Sequence, residues 1–96
     1  MAETRVGQRR GERRAVEIEA AIFRLLERRG EGKTICPSEA AKAVAGSSER
    51  AEWEPLMEPV RAVGERLAGE GRIVVTQKGK VVEGVTAKGA IRFRLR

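Results

Sequence analysis

The stretch that most constrains this chain runs from Trp53 to Gly71, WEPLMEPVRAVGERLAGEG. Trp53, Leu56, Met57, Val60, Val63 and Leu67 recur at helical spacing, so one side of the stretch is apolar and has to be covered. Pro55 and Pro59 each break the hydrogen-bond ladder, which predicts a kinked start: a turn of helix near 54–58, then a regular helix from Pro59 to Ala68. Gly64 inside that helix costs about 1 kcal/mol relative to Ala, and a close crossing with another helix would account for it. Gly69 and Gly71 stop the helix, and Ile73-Val74-Val75-Thr76, mostly β-branched, reads as a strand.

The end of the chain supplies a partner for that strand. In AIRFRLR the alternation is strict, with Ile91, Phe93 and Leu95 facing one way and Arg92, Arg94 and Arg96 the other. Pairing with Arg72 to Gln77 makes Ile73 and Val75 the inward residues of a hairpin. The long tip between the two strands, KGKVVEGVTAKG, carries Lys78, Lys80 and Lys88, with Gly79 and Gly89 permitting tight turns.

Upstream, a first helix is predicted from about Arg14 to Arg29, with Ala15, Ile18, Ala21, Ile22, Leu25 and Leu26 inward. Val16 and Phe23 widen its apolar sector, to be covered by the C-terminal hairpin or by a second subunit. Gly30 is the expected C-cap. Thr34-Ile35-Cys36 reads as a short extended piece. Pro37 then opens a second helix with Cys36 as N-cap, Ser38 as the alternative cap, and Glu39 as the acidic half of a capping box. Ala40, Ala41, Val44 and Ala45 let that helix pack closely, Gly46 ends it, and SSERAE reads as a turn. A helix, a short strand, two more helices and a basic hairpin in this order predict a mostly α, α+β fold: a winged helix-turn-helix, three helices plus a C-terminal wing, over residues 14–96. Residues 1–13, polar and Arg-rich, are expected to form a flexible basic arm.

A chain of 96 residues has room for one small core, and 41% hydrophobic content lets it fold. No long apolar run and no apolar leader segment occur, and a single cysteine forms no internal disulfide, so a cytoplasmic protein is expected. The net charge of +6 is unevenly placed. Residues 72–96 hold seven Lys/Arg against Glu83 alone, and residues 1–14 hold five Arg against two Glu. The middle, residues 15–71, holds eight Lys/Arg against eleven Glu. The basic field therefore lies at the two ends.

Chemical motifs are few. GEGKT at Gly30–Thr34 imitates the end of a phosphate loop, but Glu27 stands where that loop needs Gly, and a helix rather than a strand precedes it. Cys36 at a helix N-terminus could carry a nucleophilic thiol. The chain has no His to act as its base, and one Cys without His excludes the usual zinc sites. A packed or capping Cys36 is the simpler reading. No catalytic residue, metal or cofactor is expected, and the chain is not read as an enzyme. Trp53, at the head of the apolar stripe, reads as a core anchor rather than a stacking platform for bases.

GKTICPSEAAKAV, WEPLMEPVRAV, GRIVVTQKGKVV and AKGAIRFRLR together resemble a small bacterial family known only as a domain of unknown function, number three-two-five-three. The likeness covers roughly residues 15–96 and rests on CPSE, QKGK and a late GxIR. Members often carry Pro before the Ile of the last block, where this chain has Ala90. The resemblance implies a stand-alone winged-helix domain of the bacterial cytoplasm and no established catalytic residue.

Two functions compete. In the first, the domain binds nucleic acid, duplex DNA favoured, by backbone contacts in a regulatory role. Arg5, Arg9, Arg10 and Arg13 would act from the arm, Arg61 from the third helix, and Lys78, Lys80, Lys88, Arg92 and Arg94 from the wing. Helix-led base reading is disfavoured, because the outward face of the third helix offers Glu54, Glu58 and Glu65 beside Arg61. The Arg92, Arg94, Arg96 comb could equally be a solvated face that protects an edge strand. In the second, the domain is a protein-interaction adaptor, or a homodimer formed through Val16 and Phe23.

Overall fold

The computed structural model describes residues 6–82 and 89–96, with side chains from Glu12 onward. Its elements run α1 (Val6–Arg29), β1 (Thr34–Ile35), α2 (Pro37–Ala45), α3 (Arg50–Trp53), a 3₁₀ turn (Glu54–Leu56), α4 (Met57–Gly69), β2 (Ile73–Gln77), β3 (Lys80–Val82) and β4 (Arg92–Leu95). The fold is α+β: helices packed on a small antiparallel sheet ordered β1-β4-β2-β3.

Helix α1 begins at Val6, well before the expected Arg14, so residues 6–13 of the expected arm are helical. Apart from Gly11, the residues from Gln8 to Arg14 are good helix formers, and a helix already nucleated by its buried turns extends at little cost. Ile18, Ala21, Ile22 and Leu26 are buried. Gly30 ends the helix at φ +100°, with its N–H donating to the Leu26 carbonyl at 3.0 Å.

Helix α2 starts as its sequence dictates. Cys36 holds the extended N-cap backbone, Pro37 is the first helical residue, and the Cys36 N–H donates to Glu39 Oε2 at 2.7 Å. Gly46 closes the helix in the left-handed region. The expected turn SSERAE is partly helical: α3 starts at Arg50, steadied by the Arg50–Glu54 pair at 2.7 Å. Pro55 turns α3 into the 3₁₀ segment without ending the helical path. Helix α4 then starts at Met57, two residues before the expected Pro59, whose missing N–H falls in the first turn where no partner is needed.

The sheet departs from a plain hairpin in two ways. The expected long tip contains β3. Lys78 and Gly79, at φ +54° and +82°, form a two-residue loop that turns β2 back into Lys80–Val82. The second departure is that β4 is an interior strand. It pairs with β1 through Thr34↔Arg94 and Ile35↔Phe93, and with β2 through Ile73↔Leu95 and Val75↔Phe93. The arginine comb thus does not guard an edge.

Phe93 is the largest fully buried side chain, joined in the core by Ile35, Val60, Leu67, Ile73, Val75 and Ile91. The ring lies on Gly64, leaving no room there for a Cβ. Gly64 therefore admits an aromatic side chain of the sheet, and the close helix crossing expected from sequence is not its role.

An ionic corner joins α1, α4 and β2. Arg66 reaches Glu19 at 2.8 Å and Glu70 at 3.1 Å, while Arg72 reaches the other Glu19 oxygen at 3.0 Å. The Arg66 hydrogen bond, aided by Arg72 and opposed by partial burial, holds the Glu19 carboxyl below its ordinary range. Glu19 in turn raises the Arg66 guanidinium, with Glu70 adding to the effect. The Arg72 guanidinium also lies over the Phe23 ring, 4.7 Å from its centre, so this chain itself covers Phe23.

Candidate nucleic-acid interface

Backbone geometry at the β2–β3 turn decides where the basic side chains go. Gln77 pairs with Lys80 across the hairpin, and the loop between them lifts Lys78 and Lys80 to its end, both exposed. Lys78 is the sole non-glycine at positive φ among the described residues. A lysine in the left-handed region costs roughly 1–2 kcal/mol against Gly, with Asn also easier there.

Lys78 and Lys80 line an open groove of about 730 Å³ together with Gln77, Val82, Gly89, Ala90, Ile91, Arg92 and Cys36. Neither lysine pairs with a described carboxylate. The backbone on the far side is tied to α4 by Arg61, which donates to the Gly89 carbonyl at 3.3 Å.

Arg92 has internal work as well. It donates to Thr34 Oγ1 and, at 3.4 Å, to the Thr34 carbonyl, and stands 3.9 Å from Glu39. Glu39 also holds Arg29 in a close ion pair. One carboxylate thus caps α2, anchors the end of α1 and steadies β4. Arg94 is half-buried on β4, opposite Thr34 and Val74.

The structure gathers Lys78, Lys80 and Arg92 at one groove and brings Arg61 to its rim. Arg13 lies exposed on α1 and does not line it. Arg9 and Arg10 lie on the first turns of α1, where only the backbone is described. Arg5 and Lys88 lie outside the described residues. Four carboxylates of the helical body are engaged away from the groove: Glu19 and Glu70 with Arg66 and Arg72, Glu54 with Arg50, and Glu17 with Arg14 at 3.9 Å.

Cys36 borders the groove, half-buried, with its Sγ accepting a hydrogen bond from Ser38 Oγ at 3.2 Å. Its backbone serves as the helix cap the sequence predicted. Trp53 is half-buried against the core, donates from Nε1 to the Ser48 carbonyl at 3.1 Å, and has Lys42 over its ring at 5.1 Å. Both polar contacts of the indole are local to α2, α3 and the turn between them. Sequence reasoning missed Gln77 and the small residues Gly89 and Ala90 as groove wall. The tight Lys-Gly turn was the signal that could have placed them.

Residues 15–96 match the family described as "Protein of unknown function (DUF3253)". The chain belongs to that family. The match takes in β1 through β4 and all of α2, α3 and α4, so the groove of this DUF3253 chain lies wholly within the family's span. No curated protein matches the chain. Among the described residues of this DUF3253 chain no cluster of metal-binding side chains occurs, and no helix is long and apolar enough to cross a membrane.

Proposed function

We propose that the chain is a winged-helix module that grips the phosphate backbone of duplex nucleic acid with its β2–β3 hairpin. The sheet order supports the architecture: β4 returns between β1 and β2, and β3 is added outside that three-stranded frame, as the second strand of a wing would be. The observation that carries the function is Lys78, held at φ +54° at the wing tip. Gly or Asn would suit the turn better, and a strained residue with an exposed charge points to use of that charge.

Lys78 and Lys80 then provide two phosphate contacts, with Arg92 behind them. Binding of this kind is insensitive to base sequence and weakens steeply with salt. Duplex DNA is the favoured ligand, in a regulatory role, inside the cytoplasm. The module acts by binding and not by catalysis.

Fluorescence anisotropy with unrelated duplex DNA, duplex RNA and single strands, each at two salt concentrations, tests this reading. The double variant K78E/K80E should lose most of the low-salt affinity. Undiminished affinity removes the wing from the interface, and absence of duplex binding by the parent chain at low salt favours the adaptor reading.

A further inference from the structure

The side of α1 turned away from the core is used by neither the wing nor the ionic corner. Ile18, Ile22 and Leu26 face inward at zero exposure. On the opposite side, at helical spacing, lie Arg13, Val16, Glu17, Ala20, Arg24 and Glu27, all exposed. Val16 is 67% exposed, the most open large hydrophobic side chain among the described residues. On the other flank of this face a groove of about 270 Å³ runs between α1 and α2, floored by Ala20, Ala21, Ala43 and Val44 and flanked by Glu17 and Arg24. Arg13, Arg24 and Glu27 pair with no described residue, and Glu17 has only the loose contact with Arg14 at 3.9 Å.

The order of charges along this face is self-complementary in one orientation. Place a two-fold axis beside Ala20, with a second α1 running antiparallel. Arg13 and Glu27 each lie seven residues from Ala20, on opposite sides, about 10.5 Å along the helix. The axis brings Arg13 of one copy to Glu27 of the other. Glu17 and Arg24 lie three and four residues from Ala20, about 4.5 and 6 Å away, and meet in the same manner. A parallel arrangement would instead set Arg13 on Arg13 and Glu17 on Glu17. Ala20 at the axis and the alanine floor next to it allow the two backbones to approach closely, and Val16 closes over the aliphatic stem of Arg24.

We infer that this face is a homodimer interface whose occupant is a second copy of the same chain, α1 against α1 in antiparallel register about Ala20. It uses Val16 and leaves out Phe23, which Arg72 already covers. The inference stands apart from the nucleic-acid reading, since no residue of the wing takes part in it.

Sedimentation equilibrium of the full chain over a wide concentration range tests it, with circular dichroism to show that each variant is folded. The parent chain should show a concentration-dependent dimer. Ala20→Glu, which sets two carboxylates together at the axis, should abolish it. Arg24→Glu should weaken association by roughly tenfold through two symmetry-related repulsions with Glu17. The exchange E17R/R24E rebuilds both pairs with reversed sign and should restore association to within about threefold of the parent. A parent chain that is monomeric throughout overturns the proposal, as does a folded Ala20→Glu variant that still dimerises. Folded E17R/R24E that associates no better than Arg24→Glu overturns the antiparallel register.

Discussion

Gly64 of α4 and Phe93 of β4 occupy one another's space: the ring fills the site where any other residue at 64 would place its Cβ. Gly64→Ala therefore sets two effects against each other. The substitution favours the helix by about 1 kcal/mol, while forcing a methyl into a packed ring costs about 1–3 kcal/mol. Net destabilisation is expected by urea denaturation. In a Phe93→Leu background the same change at 64 should become neutral or stabilising, because the obstructing ring edge is gone. A purely additive double-mutant cycle would contradict the contact.

At the β2–β3 turn, Lys78→Asn should separate stability from binding. Relief of the left-handed lysine should stabilise the fold by about 0.5–1 kcal/mol. If Lys78 holds a phosphate, the slope of log K against log salt should fall by roughly one. Thermal melts and anisotropy at several salt concentrations read the two effects on one sample.

Glu19 predicts an acid-side dependence. Its folded pKa lies below the ordinary value of 4.5, so its contribution is complete at pH above that value and fades as pH falls through the lowered one. Glu19→Gln should cost about 1 kcal/mol or less near neutral pH, as fits an exposed cluster. The gap between variant and parent should narrow below pH 4.5 in denaturant titrations at stepped pH. A gap that is constant down to strong acid would remove the ion cluster as its cause.

Glu39 serves three partners, and its variants should rank accordingly. Glu39→Ala loses the bond from the Cys36 N–H along with both arginines, and should cost about 1–2 kcal/mol. Glu39→Gln keeps an acceptor for the cap and loses only the charge pairing with Arg29 and Arg92, so it should cost less. Chemical denaturation of both variants checks the order. If Arg92 takes part in duplex binding, its release should also make Glu39→Gln bind at least as tightly as the parent.

Local chemistry with short reach was legible in the sequence. CPSE announced the start of α2, since an N-cap, a proline at the first position and an acid at the third act within four residues. The Ile91, Phe93, Leu95 alternation announced a strand with one buried face, and Ile91 and Phe93 are buried. What sequence concealed depends on distant partners. Nothing near Arg92 reveals that its strand has a neighbour on both sides, because β1 lies almost sixty residues earlier. Strand β3 is three residues long, and its turn uses Lys-Gly in place of the stronger Asn-Gly signal. The early start of α1 escaped because a polar, glycine-bearing run is ambiguous by composition alone. The candidate site was legible as a list of cations. That Arg92 is shared with Thr34 and Glu39 was not, since those contacts bridge separate elements.

The place of β4 inside the sheet has a bearing on how the protein is made. A nascent chain that has emerged as far as Val82 already has its helices and one hairpin, yet β1 and β2 have no strand between them and Gly64 faces an empty slot. Stable closure waits for residues 91–95, and ribosome-bound intermediates short of Phe93 should be open to proteases along α4.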